Sequence, residues 1–139
     1  MFKSIIVVIL MLAVVNADIW SSCGSSTDKF QIGSVSIVPD PPVKGQTVTI
    51  TASGVLSETI DGGNVHVNVK YGFITILNKD EPICQSGSPV PCPINAGNLN
   101  KTVSIAIPSN VPDGTYKANA VLTDTANNEI ACINVDLHF

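Results

Sequence analysis

Residues 65–71 read Val65-His66-Val67-Asn68-Val69-Lys70-Tyr71, which sets three valines and a tyrosine on one phase and His66, Asn68 and Lys70 on the other. A period of two describes a strand with one buried and one wet face. The same rule reads residues 47–52 with Val48 and Ile50 inward, 102–107 with Val103, Ile105 and Ile107 inward, and 131–139 with Ile133, Val135 and Leu137 inward. Further strands at 30–38, 73–77 and 115–123 bring the total to about seven. Between them stand Pro39-Asp40-Pro41-Pro42, Asp61-Gly62-Gly63, the 84–97 loop, Pro112-Asp113-Gly114 and Asn127-Asn128. No helical periodicity is sustained beyond the N-terminal segment, and no repeat or linker divides the rest of the chain. The expected fold is all-β, an immunoglobulin-like two-sheet sandwich forming one domain.

The inward phase of the strand from residue 115 reads Tyr116, Ala118, Ala120, Leu122. Facing sheets stand about 10 Å apart and are normally filled by large side chains from both. Two successive alanines either accept a bulky neighbour or leave an apolar space of the kind an apolar ligand requires. Cys132 falls on the polar phase of the last strand, so its sulfur is expected to point away from the core, within reach of the N-terminal segment. Immunoglobulin domains proper join their sheets through the core beside a buried tryptophan. Here the single tryptophan, Trp20, lies near the N-terminus and is expected to pack at an end of the sandwich.

The N-terminus sets the compartment. Lys3 precedes an apolar run from Ile5 to Val15, and Val15-Asn16-Ala17 offers small residues for cleavage. This pattern is that of a signal peptide over residues 1–17, since crossing a bilayer takes about 20 apolar residues. Residues 18–139 then form the mature domain, in a secreted or endolysosomal setting. One lysine and no acid leave with the signal, so the formal charge moves from −4 to −5. With that sign, and no arginine in the chain, nucleic acid is not an expected partner.

Four cysteines, Cys23, Cys84, Cys92 and Cys132, follow the signal, and an even number in an oxidising compartment points to two disulfides. Three pairings are possible. The segment Gln85-Ser86-Gly87-Ser88-Pro89-Val90-Pro91 suits a local Cys84 to Cys92 loop, which would leave Cys23 for Cys132. The spacings are not those of a zinc site, and His66 and His138 lie elsewhere. No Gly-x-Ser-x-Gly elbow is present, and Asp80 and Glu81 read as a solvated turn beside Pro82, so no catalytic site, metal or cofactor is expected. Asn100-Lys101-Thr102 is the sole glycosylation sequon and is expected in a loop before a strand.

Taken in order, several segments resemble the ML lipid-recognition domain family, which includes the Niemann-Pick type C sterol carrier of lysosomes and the phosphatidylglycerol/phosphatidylinositol transfer proteins. They are Pro39-Asp40-Pro41-Pro42-Val43-Lys44-Gly45-Gln46, Val67-Asn68-Val69-Lys70-Tyr71-Gly72, Cys84 with Cys92-Pro93-Ile94 and Gly97, Ile107-Pro108 with Val111-Pro112-Asp113-Gly114-Thr115-Tyr116, and Cys132. The resemblance spans nearly all of residues 18–139, and its first segment is closest to the phosphatidylglycerol/phosphatidylinositol transfer branch. It implies a sandwich whose sheets part at one end to take a lipid tail, the polar end staying at the mouth. It also implies the disulfides Cys23–Cys132 and Cys84–Cys92. Tyr116 matches the family's cavity tyrosine, and Phe73 joins it as a cavity candidate. Val67, Val69, Ala118 and Ala120 complete the expected lipid cavity from their inward phase. The expected function is lipid binding and transfer between membranes by a monomer in transient contact with them, with phospholipid ahead of sterol because the sterol carrier's additional disulfide is missing here. Presentation of a lipid to a receptor is the alternative from another class.

Overall fold

The computed structural model describes residues 19–84 and 91–139; residues 1–18, on which the expected signal peptide falls, and 85–90 lie outside the described residues. Eight strands run in the order β1 (Trp20–Ser22), β2 (Phe30–Val38), β3 (Thr47–Leu56), β4 (Asn64–Tyr71), β5 (Ile74–Pro82), β6 (Gly97–Ala106), β7 (Thr115–Thr123) and β8 (Glu129–His138). They form a five-stranded sheet, β1-β8-β7-β4-β5, and a three-stranded sheet, β2-β3-β6, with every pairing antiparallel. No helix among the described residues is long and apolar enough to cross a membrane.

The alternation that opens the chain's reading survives in the register. Val67 lies opposite Ala120, which lies opposite Ile133; Val69 lies opposite Ala118, which lies opposite Val135. One face of the larger sheet is therefore an apolar grid. The other carries the polar row Ser21, Asn134, Asn119, Asn68 and Asn78, each opposite the next across five strands. In the smaller sheet Val48 faces Ile105, Ile50 faces Val103 and Ala52 faces Lys101. These pairs make the inward face, and Lys101 is placed on it.

Trp20 belongs to β1, an edge strand, and is set opposite Val135. Two expectations are corrected here. Asp80 and Glu81 are ladder residues of β5, opposite His66 and Val65, not a turn. Asn100 lies within β6, opposite Ser53, not in a loop, although it remains exposed. The expected sandwich of about seven strands is present, with β1 added among the described residues; at three residues it is too short for alternation to register.

The two ends of the sandwich are closed differently. At one, Tyr116 stacks against Tyr71 with ring centroids 4.9 Å apart and meets Phe139 edge-on at 5.8 Å. Gly114, at φ 145°, passes so near the Tyr71 ring that a Cβ there would stand 2.6 Å from it, which is why Pro112-Asp113-Gly114 must end in glycine. Lys44 and Asp113 form an ion pair that ties the two sheets together at this end. At the other end Leu56, Ile60, Ile130 and Ala131 form the buried cluster. Among the described residues no large side chain falls below 2% exposure.

Candidate functional site

An apolar cavity of about 140 Å³ lies at the Leu56 end, between the sheets. Phe30, Ala52, Leu56 and Leu99 wall it from the smaller sheet, and Leu122 and Ala131 from the larger. Ile60, Ile83 and Ile94 arrive from the connections between strands. Two of them hold each other, Ile60 N–H donating to Ile94 O and Ile94 N–H to Ile60 O, both at 2.8 Å. Gly54 makes room for the Phe30 ring, since a Cβ there would stand 2.9 Å from it and 2.2 Å from the Gln31 carbonyl oxygen.

The sandwich is not closed evenly along its sides. The sheets approach each other where β2 faces β8, while β5 and β6 are unpaired edges of opposite sheets. Both edges leave inward-phase apolar residues in solvent: Leu77 of β5 is 44% exposed and Ile105 of β6 is 48% exposed. Along this side β5 and β6 do not pack extensively against each other.

The residues expected to line a cavity are distributed along the inner face. Val67, Val69, Ala118 and Ala120 sit on the interior strands β4 and β7, yet are only partly buried. None of the four lines the apolar cavity described above. Tyr116 is buried, 7% exposed, with its hydroxyl donating to Pro112 O at 2.7 Å, and belongs to the closed end opposite the cavity. Burial holds its phenol above the ordinary tyrosine range. Phe73 stands fully in solvent at the turn between β4 and β5, where the strand begins at Ile74 and the register slips between Val69 and Lys70. It lies with Tyr116 at the far end and touches no part of the cavity described above. The sequence reading missed the cavity end itself. Phe30, Ala52, Leu56 and Leu99 show the inward phase once the strands take their full lengths, but Ile60, Ile83 and Ile94 lie in connections, where periodicity carries no signal.

Both disulfides form as the resemblance implies. Cys23 joins Cys132 across 109 positions on the outer face of the larger sheet, beside the Asn119 amide, so the polar phase of Cys132 does send its sulfur outward. Cys84 joins Cys92 at the cavity end, between β5 and β6. No cluster of histidine, cysteine, aspartate or glutamate suited to a metal occurs among the described residues.

Charge pairs secure the cavity end. Lys29, 18% exposed, reaches Glu58 at 2.6 Å and Asp124 at 2.7 Å. The Lys29 ammonium and the Asn128 and Ala126 amides hold the Asp124 carboxyl below the usual carboxylate range. Glu129 behaves oppositely. A hydrogen bond to Asp28, burial and the like charge of Asp28 push it up. A carboxyl whose folded pKa is raised stabilises the fold below its unfolded pKa, and that contribution is lost as pH rises through the raised value. Glu129→Gln should therefore raise the melting temperature at pH 7 and lose that advantage near pH 4. Thermal unfolding across this range checks it, and a difference that is flat with pH would show that the two carboxyls do not interact.

The family model for the ML domain matches residues 17–139. A Dictyostelium discoideum protein provisionally named a phosphatidylglycerol/phosphatidylinositol transfer protein is 54% identical over 120 residues, covering 86% of this chain and 85% of that one. The phosphatidylglycerol/phosphatidylinositol transfer protein of Neurospora crassa is 33% identical over 124 residues, covering 84% and 70%. Among solved structures, chicken MD-1 complexed with lipid IVa matches with a TM-score of 0.66 at 24% identity, covering 91% of this chain and 95% of that one. A Niemann-Pick type C2 protein from the Japanese carpenter ant matches at 0.60 with 14% identity, covering 86% and 97%.

Proposed function

The chain belongs to the ML domain family, and from that premise we propose that it binds a phospholipid of the phosphatidylglycerol or phosphatidylinositol type by its tail and moves it between membranes. The observation that carries this reading is the apolar cavity between the sheets, walled in part by Leu99 and Lys101 of the β6 edge, in a chain whose relatives bear the name of such transfer proteins. At about 140 Å³ the cavity is near the size of an engineered void that accepts benzene. It can seat only part of an acyl chain. The rest of the tail is proposed to continue along Ala120, Ala118, Val67 and Val69 toward Tyr116, with the sheets parting as it enters. Each methylene taken from water contributes about 0.8 kcal/mol, so a modest separation of the sheets is readily offset.

No bond need be broken for this work, and the reading assigns no catalytic residue and no cofactor. Two disulfides fit a secreted or lumenal protein. Cleavage after Ala17, a glycan on Asn100 and action as a monomer in passing contact with membranes complete the proposal. The test is mass spectrometry of lipid extracted from the purified protein, beside an assay of transfer between donor and acceptor liposomes. Copurified phospholipid and transfer of phosphatidylglycerol or phosphatidylinositol are expected. Sterol alone in the extract would replace the phospholipid assignment, and tight binding without transfer would replace carriage with recognition.

A further inference from the structure

We infer that Lys101 is the recognition point for the anionic phosphate of the lipid head group, set at the mouth of the tail cavity. This rests on the proposed lipid function and adds where, and by what chemistry, the polar end is held. Lys101 sits on the inward phase of β6, opposite Ala52, and lines the apolar cavity. It also lines a groove of about 290 Å³ alongside, where Pro91, Pro93, Asn95 and Asn98 supply the outer wall. Ile94 and Leu99 are common to cavity and groove. One space is apolar and the other carries amides, and Lys101 stands at their junction.

The charge is out of place for a purely structural strand. The other inward-phase charges at this opening, Lys79 and Glu81 of β5, neutralise each other at 2.8 Å. Lys29 and Lys44 also have acid partners. Lys101 has none among the described residues; Lys70 and Lys117 have none either, but they stand opposite each other on the outer phase, so Lys101 is the one of the three on the inward phase. A lysine can lay its methylenes along apolar neighbours while its ammonium reaches water, and Ile94 and Leu99 offer that bed. An unpaired ammonium at the rim of an apolar slot is matched by an anion carried on an apolar tail. The phosphodiester of a phospholipid has that form, and the Asn95 and Asn98 side chains supply amide donors and acceptors for head-group hydroxyls beyond it.

An inward charge on an edge strand also deters the addition of a further strand, and that role would be indifferent to ligand. The two roles separate by calorimetry with short-chain lipids free in solution, which removes any general attraction to a charged membrane. Dihexanoyl phosphatidylglycerol should bind K101Q more weakly than the unmutated protein by on the order of tenfold, the loss of one charge-assisted hydrogen bond. Dihexanoylglycerol, with the same tails and no phosphate, should bind both alike. K101R should keep most of the affinity, and K117Q on the outer face should change nothing. Inorganic phosphate alone should compete poorly, because it brings no tail. Equal binding of phosphatidylglycerol by K101Q and the unmutated protein would overturn the inference, as would parallel loss of both lipids or phosphate binding as tight as phospholipid. If the unmutated protein takes up neither lipid, the lipid-carrier reading itself has failed.

Discussion

Ala52→Phe is expected to abolish uptake of lipid while leaving the melting temperature within a few degrees of the unmutated protein. Ala52 is on the inner face of β3, between Val35 and Lys101 in the ladder, and contributes to the cavity wall. The substitution adds one phenyl ring to a void of about 140 Å³, the volume class that takes a benzene molecule. The ring would occupy the place of the tail. If the space were a packed core, the same change would overpack it, at a typical cost of about 1–3 kcal/mol or more. Thr51→Phe is the control, since Thr51 is on the opposite phase and hydrogen-bonds Thr102 across the outer face. Fluorescent phospholipid binding beside thermal unfolding reads the result. A folded Ala52→Phe protein that still takes up lipid would remove the cavity from the binding path, and an unfolded one would show that no usable void exists.

Removing the long disulfide should have the largest effect on stability. In the chain-entropy account a cross-link stabilises by restricting the unfolded chain, more so the longer the loop. The Cys23–Cys132 bridge closes 109 positions and Cys84–Cys92 closes 8. The corresponding contributions are about 4.8 and about 2.5 kcal/mol. The double change Cys23→Ala/Cys132→Ala should then lower the melting temperature by roughly 15 °C or more, and Cys84→Ala/Cys92→Ala by about half as much. Calorimetry of the two variants checks the order. Equal losses would mean that the short bridge does more than close its own loop, with the cavity-end residues Ile83 and Ile94 as its beneficiaries.

The sheets were largely legible because alternation is a local property. β2 and β7 run from Phe30 to Val38 and from Thr115 to Thr123, as their patterns read. β5 and β6 were cut short at their polar stretches, Asn78 to Pro82 and Gly97 to Lys101, because these residue types are poor in strands and only pairing with β4 and β3 holds them extended. Truncating β6 hid the phase of Lys101. The inward grid of Val67, Val69, Ala118 and Ala120 was readable, but the position of the cavity along it was not. That depends on Ile60, Ile83 and Ile94 being carried to one end by connections, and on which edges of the sandwich remain apart. Both are consequences of long-range pairing, which no short window contains. The place of Phe73, in solvent at the turn before β5, was not legible, because a lone aromatic beside a strand looks the same whether the chain turns before it or after it.

The order β1-β8-β7-β4-β5 places β7 and β8, the last two of the described strands in sequence, inside the larger sheet. β1 has no partner until β8 exists, and β4 can form only a hairpin with β5 until β7 follows. The smaller sheet can assemble earlier, since β6 is complete by Ala106. Folding of this kind, dominated by distant pairings, is slow and leaves strand edges uncovered meanwhile. Cys84 and Cys92 therefore meet while the chain is still emerging, whereas Cys23 must wait for Cys132. The long bridge is therefore expected to close after the short one, as the step that locks β1 onto β8.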